Sequence, residues 1–118
     1  MTNVLETVLV LVLAAENSPD SAISSANARG SYQITSIVVY DVNLVYKTKY
    51  THEAMHVRKT AREVAEKFIR LLQKRYPEHA EDVCWLVRAY GCGPKATERH
   101  DGYWYYERGK KLLEKLLQ

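Results

Sequence analysis

The sequence has little of several residue types that mark special classes of protein. It holds two cysteines, Cys84 and Cys92, among 118 residues, which is too few for the disulfide framework of a small secreted scaffold. This pair is either bridged or free. The long apolar run at residues 4–15 is interrupted by Glu6 and falls short of the roughly 20 residues that span a bilayer. Because no positive segment precedes it, we expect a core helix, with neither a clear signal peptide nor a membrane span.

Neither sign of charge is in large excess. Lys and Arg number 17 against 14 Asp and Glu, which gives a net charge of +3, and the pI is near 8.8. This excess is too weak for nucleic-acid binding, but it suits an anionic polymer such as a cell wall. Since 47% of the residues are apolar, the chain is long enough for one core, and we expect one domain over residues 1–118.

Apolar periodicity predicts a mainly α fold. The run at 3–16 is long, and the helix-breaking segment Asn17-Ser18-Pro19-Asp20 follows it. Both features favour a helix ending near Glu16. Thr35 or Ser36 would cap a helix over 35–46, although the β-branched residues there suit a strand equally well. Residues 17–31 are predicted to form a loop with a short hairpin-like excursion, and residues 95–102 a polar loop. Further helices are predicted from Met55 or Arg58 to Arg75, from Glu81 to Tyr90, and from Tyr103 to Leu117 with a stripe of Leu112, Leu113, Leu116 and Leu117.

The stretch that follows the first predicted helix carries the candidate chemistry. A carboxyl at the end of a buried helix is partly desolvated, and desolvation raises a carboxyl pKa because it disfavours the charged form. Such a group can protonate a leaving oxygen near neutral pH, so Glu16 is the candidate catalytic residue. Gly30 and Ser31 are small enough for a bulky ligand to approach the backbone. Tyr32 flanks them, and Gln33 offers both a donor and an acceptor to a ligand.

Three short segments occur in the order typical of a known family. Gly30-Ser31-Tyr32-Gln33-Ile34 follows Glu16, Ala89-Tyr90-Gly91-Cys92-Gly93-Pro94 comes later, and Gly102-Tyr103-Trp104-Tyr105-Tyr106-Glu107-Arg108 precedes the last helix. This order resembles the lytic transglycosylase domains of the lysozyme-like superfamily. The resemblance also decides for a helix over 35–46. Gly91 is a departure, because the family usually has an Asn there that often faces the substrate.

The resemblance implies a lysozyme-like fold of about six helices around one core, with a substrate cleft. It implies that Glu16 cleaves the bond between N-acetylmuramic acid and N-acetylglucosamine in peptidoglycan, without metal or cofactor. Gly30, Ser31, Tyr32 and Gln33 would bind the glycan strand on one side. On the other side, Tyr90 would stack on a sugar, and either Tyr103 or Tyr105 would orient the Glu16 carboxyl. We expect a monomer that acts at the cell wall.

Three other functions fit parts of the sequence. His52-Glu53-Ala54-Met55-His56 matches the H-E-x-x-H zinc-protease motif, but no third ligand follows at the usual spacing, so we expect His52→Ala to change little. An inverting, goose-type lysozyme would need a second carboxylate, for which Asp20 or Asp41 is available. A cell-wall-binding module without catalysis is the third alternative, and Gly91 is the feature that favours it.

Overall fold

The computed structural model describes residues 3–117, and helices dominate this range. The α-helices there are α1 Val4–Glu16, α2 Ser36–Tyr46, α3 Arg58–Arg75, α4 Val83–Cys92, α5 Pro94–Glu98 and α6 Tyr103–Leu116. Two 3₁₀ turns, Glu53–His56 and Pro77–His79, lie between them. The only extended pairing in the described residues consists of isolated bridges between 23 and 34. The mainly α prediction is therefore confirmed.

Helix α1 is apolar on most of its sides. Its buried side chains are those of Leu5, Val8, Leu9, Leu11, Val12 and Ala15. The helix ends at Glu16 because Asn17 turns into the left-handed region, with φ of 44°, a conformation that terminates many helices. The prediction of a buried helix ending near Glu16 is confirmed, and the strand pattern of its β-branched residues did not prevail.

Helix α2 begins where a side chain caps it. The Thr35 hydroxyl accepts a hydrogen bond from the Val38 backbone N–H at 3.4 Å, so Thr35 rather than Ser36 is the N-cap. Lys47, in the left-handed region, ends the helix. Only Val39 and Val42 of this helix are buried.

Helix α3 has the clear apolar face that the sequence predicts. Ala61, Val64, Ala65 and Ile69 are wholly buried at the i, i+3, i+4 spacing of one helical face. The helix stops before Pro77, which restricts the backbone of the residue that precedes it. The predicted bounds from Arg58 to Arg75 are confirmed.

The C-terminal third differs from the sequence prediction in three respects. Helix α4 starts later, with the Asp82 carboxylate accepting from the Trp85 N–H, and it continues to Cys92. The prediction of a loop over 95–102 is wrong for residues 95–98, which form α5 together with Pro94. Pro94 fits the first turn of a helix because no N–H is needed there.

The predicted apolar stripe of α6 is the third difference. Leu116 and Leu117 are 77% and 80% exposed, whereas Tyr105 and Gly109 are the buried residues of this helix. A Cβ at Gly109 would lie 2.7 Å from the Leu11 carbonyl oxygen of α1. The close approach of two backbones at a glycine thus determines which face of α6 is buried, and the leucines near its end lie beyond that contact.

The described chain divides into two compact units. One unit comprises the residues up to Ala15 together with those from Leu72 onward, and the other comprises Glu16–Leu71. Within the first unit, α4 packs against both α5 and α6. The expectation of a single domain over 1–118 stays a prediction. None of the helices within residues 3–117 is long and apolar enough to cross a membrane.

Candidate functional site

Glu16 is the last residue of α1 and the first of the Glu16–Leu71 unit. Its side chain is half-buried. Its backbone carbonyl accepts a hydrogen bond from the Ser18 hydroxyl at 2.9 Å, which satisfies one of the carbonyls that a helix end leaves open. The position of Glu16 is therefore defined by the helix before it and by a capped turn after it.

The loop after Glu16 is folded back on itself by backbone hydrogen bonds. Arg29 and Ile34 exchange two N–H to O bonds of 2.9 and 3.0 Å, and the Gly30 N–H donates to the Ala22 carbonyl at 2.9 Å. Ile23 pairs with Arg29 on the other side of this segment. The predicted hairpin-like excursion is confirmed, and it presents residues 30–33 as one tight turn.

Gly30 is required where it stands. Its φ is 79°, and a Cβ there would lie 2.0 Å from the Met55 carbonyl oxygen. Both the left-handed backbone and the missing space exclude an ordinary side chain. The close approach of a ligand to Gly30 stays a prediction. Within this unit, the Gly30 backbone lies against that of the 3₁₀ turn Glu53–His56.

Gln33 is half-buried, with a positive φ of 48°. Its side-chain Nε2 donates to the Gly30 carbonyl at 2.9 Å, so the amide is held against its own turn. An amide group carries two hydrogens on nitrogen and an acceptor oxygen. One hydrogen is used inside the turn. The second hydrogen and the oxygen are the donor and the acceptor that the sequence predicts for a ligand, and this binding role stays a prediction.

Ser31 and Tyr32 are almost wholly buried, whereas a side chain that contacts a ligand needs some exposed surface. Their exposed fractions are 0% and 2%. The Ser31 hydroxyl oxygen is buried without a hydrogen-bond partner among the described residues, which is uncommon for a buried polar atom. The substrate-binding role predicted for these two residues stays a prediction.

The histidines of the H-E-x-x-H segment bind backbone carbonyls of the loop. His52 Nε2 lies 2.7 Å from the Ile34 carbonyl oxygen, and His56 Nδ1 lies 2.8 Å from the Asp20 carbonyl oxygen. Glu53–His56 is a 3₁₀ turn, so residues four apart do not share a face as they do in the α-helix of a zinc protease. No group of three His, Cys, Asp or Glu side chains suited to a metal occurs within residues 3–117.

The two candidate carboxylates for a hydrolase lie in different surroundings. Asp20 pairs with Arg58 at 3.0 Å, and both side chains are about half-exposed. Asp41 is a half-buried residue of α2. An ion pair in such an exposed position contributes little to stability, on the order of 0–1 kcal/mol. Its clearer effect is to keep the Asp20 side chain next to Arg58.

The predicted aromatic residues lie in the other unit. Tyr90 is a half-buried residue of α4, and Tyr105 is only 4% exposed. Gly91 lies next to the ring of Tyr105. A Cβ at Gly91 would lie 2.6 Å from three atoms of this ring. The ring of Tyr105 therefore occupies the space into which a side chain at position 91 would extend, which accounts for glycine where the resembled family has Asn.

Tyr103 lies in a different environment from Tyr105. It is 47% exposed, and the Arg88 guanidinium carbon lies 3.7 Å from the centre of its ring, a typical cation–π distance. Between the two candidates for orienting a carboxyl, Tyr105 is the buried one and Tyr103 the exposed one. Their predicted roles stay predictions.

Arg88 is the residue that sequence reasoning missed. It is 5% exposed, and its guanidinium donates to the Asp101 carbonyl at 2.9 Å and to the Thr97 carbonyl at 3.0 Å. A buried guanidinium needs such partners, because its charge is costly to desolvate. The signal in the sequence was that Arg88 is the lone basic residue in the apolar stretch of α4. Its side chain binds the segment that leads to Tyr103.

No disulfide joins Cys84 and Cys92, which resolves the alternative left open by their spacing. Burial raises the pKa of the Cys84 thiol, while the neighbouring Arg88 charge acts in the opposite direction. Both cysteines are half-buried.

The chain was also compared with known proteins. Searches against protein-family models, curated proteins and solved structures each find no match. The function is therefore inferred from the residues and their geometry.

Proposed function

We propose that the protein cleaves peptidoglycan glycan strands as a lytic transglycosylase, with Glu16 as its general acid and base. The observation that carries the proposal is a carboxyl at the end of α1 followed by a folded loop. The half-buried Glu16 ends an apolar helix, and the loop after it closes into a hydrogen-bonded turn that holds the Gln33 amide. An acid and an amide on a pre-formed backbone are what cleavage beside an acetamido sugar needs.

The proposed reaction uses Glu16 twice. The protonated carboxyl first donates its proton to the glycosidic oxygen as the bond to the muramyl C1 breaks. The acetamido group of the sugar stabilises the positive charge that develops at C1, an exception to the usual pair of carboxylates. The Glu16 carboxylate then removes the proton from the muramyl 6-hydroxyl, whose oxygen bonds to C1. The 1,6-anhydro product forms, and the carboxyl regains its proton.

The turn at residues 30–33 supports the substrate part of the proposal. Gln33 is held by its own hydrogen bond to Gly30, so little side-chain entropy remains to be lost when a ligand binds. The amide hydrogen that remains can donate to an acetamido carbonyl, and the amide oxygen can accept from an acetamido N–H. Tyr90, Tyr103 and Tyr105 belong to the other unit, and their substrate-binding roles stay predictions of the sequence.

The test uses purified sacculi and mass spectrometry of the released fragments. The wild-type protein should release anhydro-muropeptides, and Glu16→Gln should release none while keeping its thermal unfolding temperature. Anhydro products from Glu16→Gln would refute the role of Glu16. Reducing-end products from the wild type would instead indicate a goose-type hydrolase, and binding without turnover would indicate a cell-wall-binding module.

Glu53→Gln is the matched control for this experiment. Glu53 is an exposed glutamate at the start of the 3₁₀ turn, so its substitution makes the same chemical change outside the proposed site. It should keep full turnover. Glu53 is also the residue that would activate water in a zinc protease, and loss of activity in this variant, together with loss on adding a chelator, would favour that alternative.

A further inference from the structure

The H-E-x-x-H segment contacts the loop of the proposed site at three points. His52 binds the Ile34 carbonyl, His56 binds the Asp20 carbonyl, and the Met55 carbonyl lies against Gly30. Met55 itself is wholly buried. These contacts join residues 18 to 36 positions apart in the sequence, so they are tertiary contacts.

The His52 contact adjoins Gln33. The Ile34 carbonyl accepts two hydrogen bonds, one from the Arg29 N–H at 2.9 Å and one from His52 at 2.7 Å. The first bond closes the turn that holds Gln33, and the second fixes the same oxygen from outside the loop. Loss of the His52 bond would leave the turn closed only by its own backbone bonds.

The His56 contact holds the first part of the loop that follows Glu16. Asp20 lies four residues after Glu16, and its backbone carbonyl accepts from His56 while its carboxylate accepts from Arg58 at 3.0 Å. The loop is therefore held at two positions, one four residues after the proposed acid and one directly after the proposed amide in the sequence.

We propose that His52 and His56 are positioning residues, which hold the Glu16–Gln33 loop in its reactive geometry through ring N–H groups that donate to backbone carbonyls. This inference rests on the proposed function for its effect on catalysis. It replaces the expectation that His52→Ala would change little. The required hydrogens are on Nε2 of His52 and Nδ1 of His56, and an imidazole can carry a hydrogen at either nitrogen.

The experiment removes or keeps the donor at each position. His52→Ala and His56→Ala remove it, whereas His52→Gln and His56→Asn retain an amide N–H that can take the place of the ring N–H. Hydrogen exchange of the Arg29 and Ile34 amides and single-turnover release of anhydro-muropeptides from sacculi are measured for each variant. His100→Asn, a change in the exposed 99–101 segment, is the control.

We expect exchange at Arg29 to quicken about fivefold in His52→Ala, as the loss of one hydrogen bond implies. The single-turnover rate at saturating sacculi should fall about tenfold in both alanine variants, because misplacing a reacting group lowers the rate steeply. The Gln and Asn variants should recover most of both losses, and His100→Asn should match the wild type. Recovery by an amide that cannot act as a strong metal ligand also distinguishes a donor from a zinc ligand.

Three outcomes would overturn the proposal. These are unchanged exchange in both alanine variants, faster exchange with an unchanged single-turnover rate, and amide variants that are as impaired as the alanine variants. If an alanine variant does not fold, the comparison of Gln or Asn with the wild type decides. If the wild type turns over no sacculi, the proposed function fails, while the exchange measurements still decide whether the histidines hold the loop.

Discussion

Gly91→Ala is the substitution for which the structure predicts the sharpest effect. A Cβ at this position would lie 2.6 Å from the Cδ2, Cε2 and Cζ atoms of the Tyr105 ring, well inside van der Waals contact. Tyr105 is 4% exposed, so its ring has little room to move away. Overpacking of this kind costs about 1–3 kcal/mol, and contact with three atoms of a rigid ring places the cost near the upper end, about 3 kcal/mol.

A second term acts in the opposite direction. Gly91 lies within α4, where alanine is favoured over glycine by about 1 kcal/mol. The net destabilisation is therefore about 2 kcal/mol. For a chain of this size that lowers the unfolding temperature by roughly 6–12 °C. Gly91→Asn, which would introduce the residue of the resembled family, should be at least as destabilising, because its side chain would also displace the ring.

The assay is a double-mutant cycle measured by thermal unfolding. Tyr105→Leu removes the ring and costs stability by itself, but in that background Gly91→Ala should be neutral or stabilising by up to about 1 kcal/mol. The cycle cancels the loss of other Tyr105 contacts and the helix propensity of alanine. If Gly91→Ala is as stable as the wild type in the presence of Tyr105, the steric reasoning is refuted.

Three further predictions concern Gly30, Ser31 and Cys84. Gly30→Ala should destabilise the fold by about 3 kcal/mol or more, because it adds left-handed strain to a clash with the Met55 carbonyl. A decrease in unfolding temperature of less than about 5 °C would contradict this. Ser31→Ala should stabilise by about 1 kcal/mol, because the buried hydroxyl has no partner among the described residues; destabilisation in denaturant unfolding would show that the hydroxyl is bonded. Since the pKa of Cys84 is raised above the ordinary thiol value of 9.0, its alkylation in a Cys92→Ser variant should have a higher pH midpoint in the native than in the denatured protein. The unfolded state then loses this proton first, so the stability contribution is fully present below pH 9.0 and declines as pH rises through the folded pKa; equal midpoints would contradict the shift.

Local sequence signals determined where most helices begin and end. The Thr35 hydroxyl caps α2, and Pro77 follows the end of α3, because caps and prolines act on the backbone within a few residues of themselves. The helix end at Glu16 and the loop with a hairpin-like excursion after it were also readable for the same reason. Each depends on the chemistry of neighbouring residues.

The positions of side chains far apart in the sequence were decided only by the tertiary structure. His52 and His56 matched a metal motif in the sequence, but their rings bind carbonyls 18 and 36 residues away. In the sequence, Gly91 is only a departure from the pattern of the resembled family. The structure shows that the Tyr105 ring occupies the space that a side chain at position 91 would need. The buried face of α6 likewise depends on the contact of Gly109 with α1. Periodicity reports how apolar each face of a helix is, whereas burial depends on which other element comes close enough to cover it.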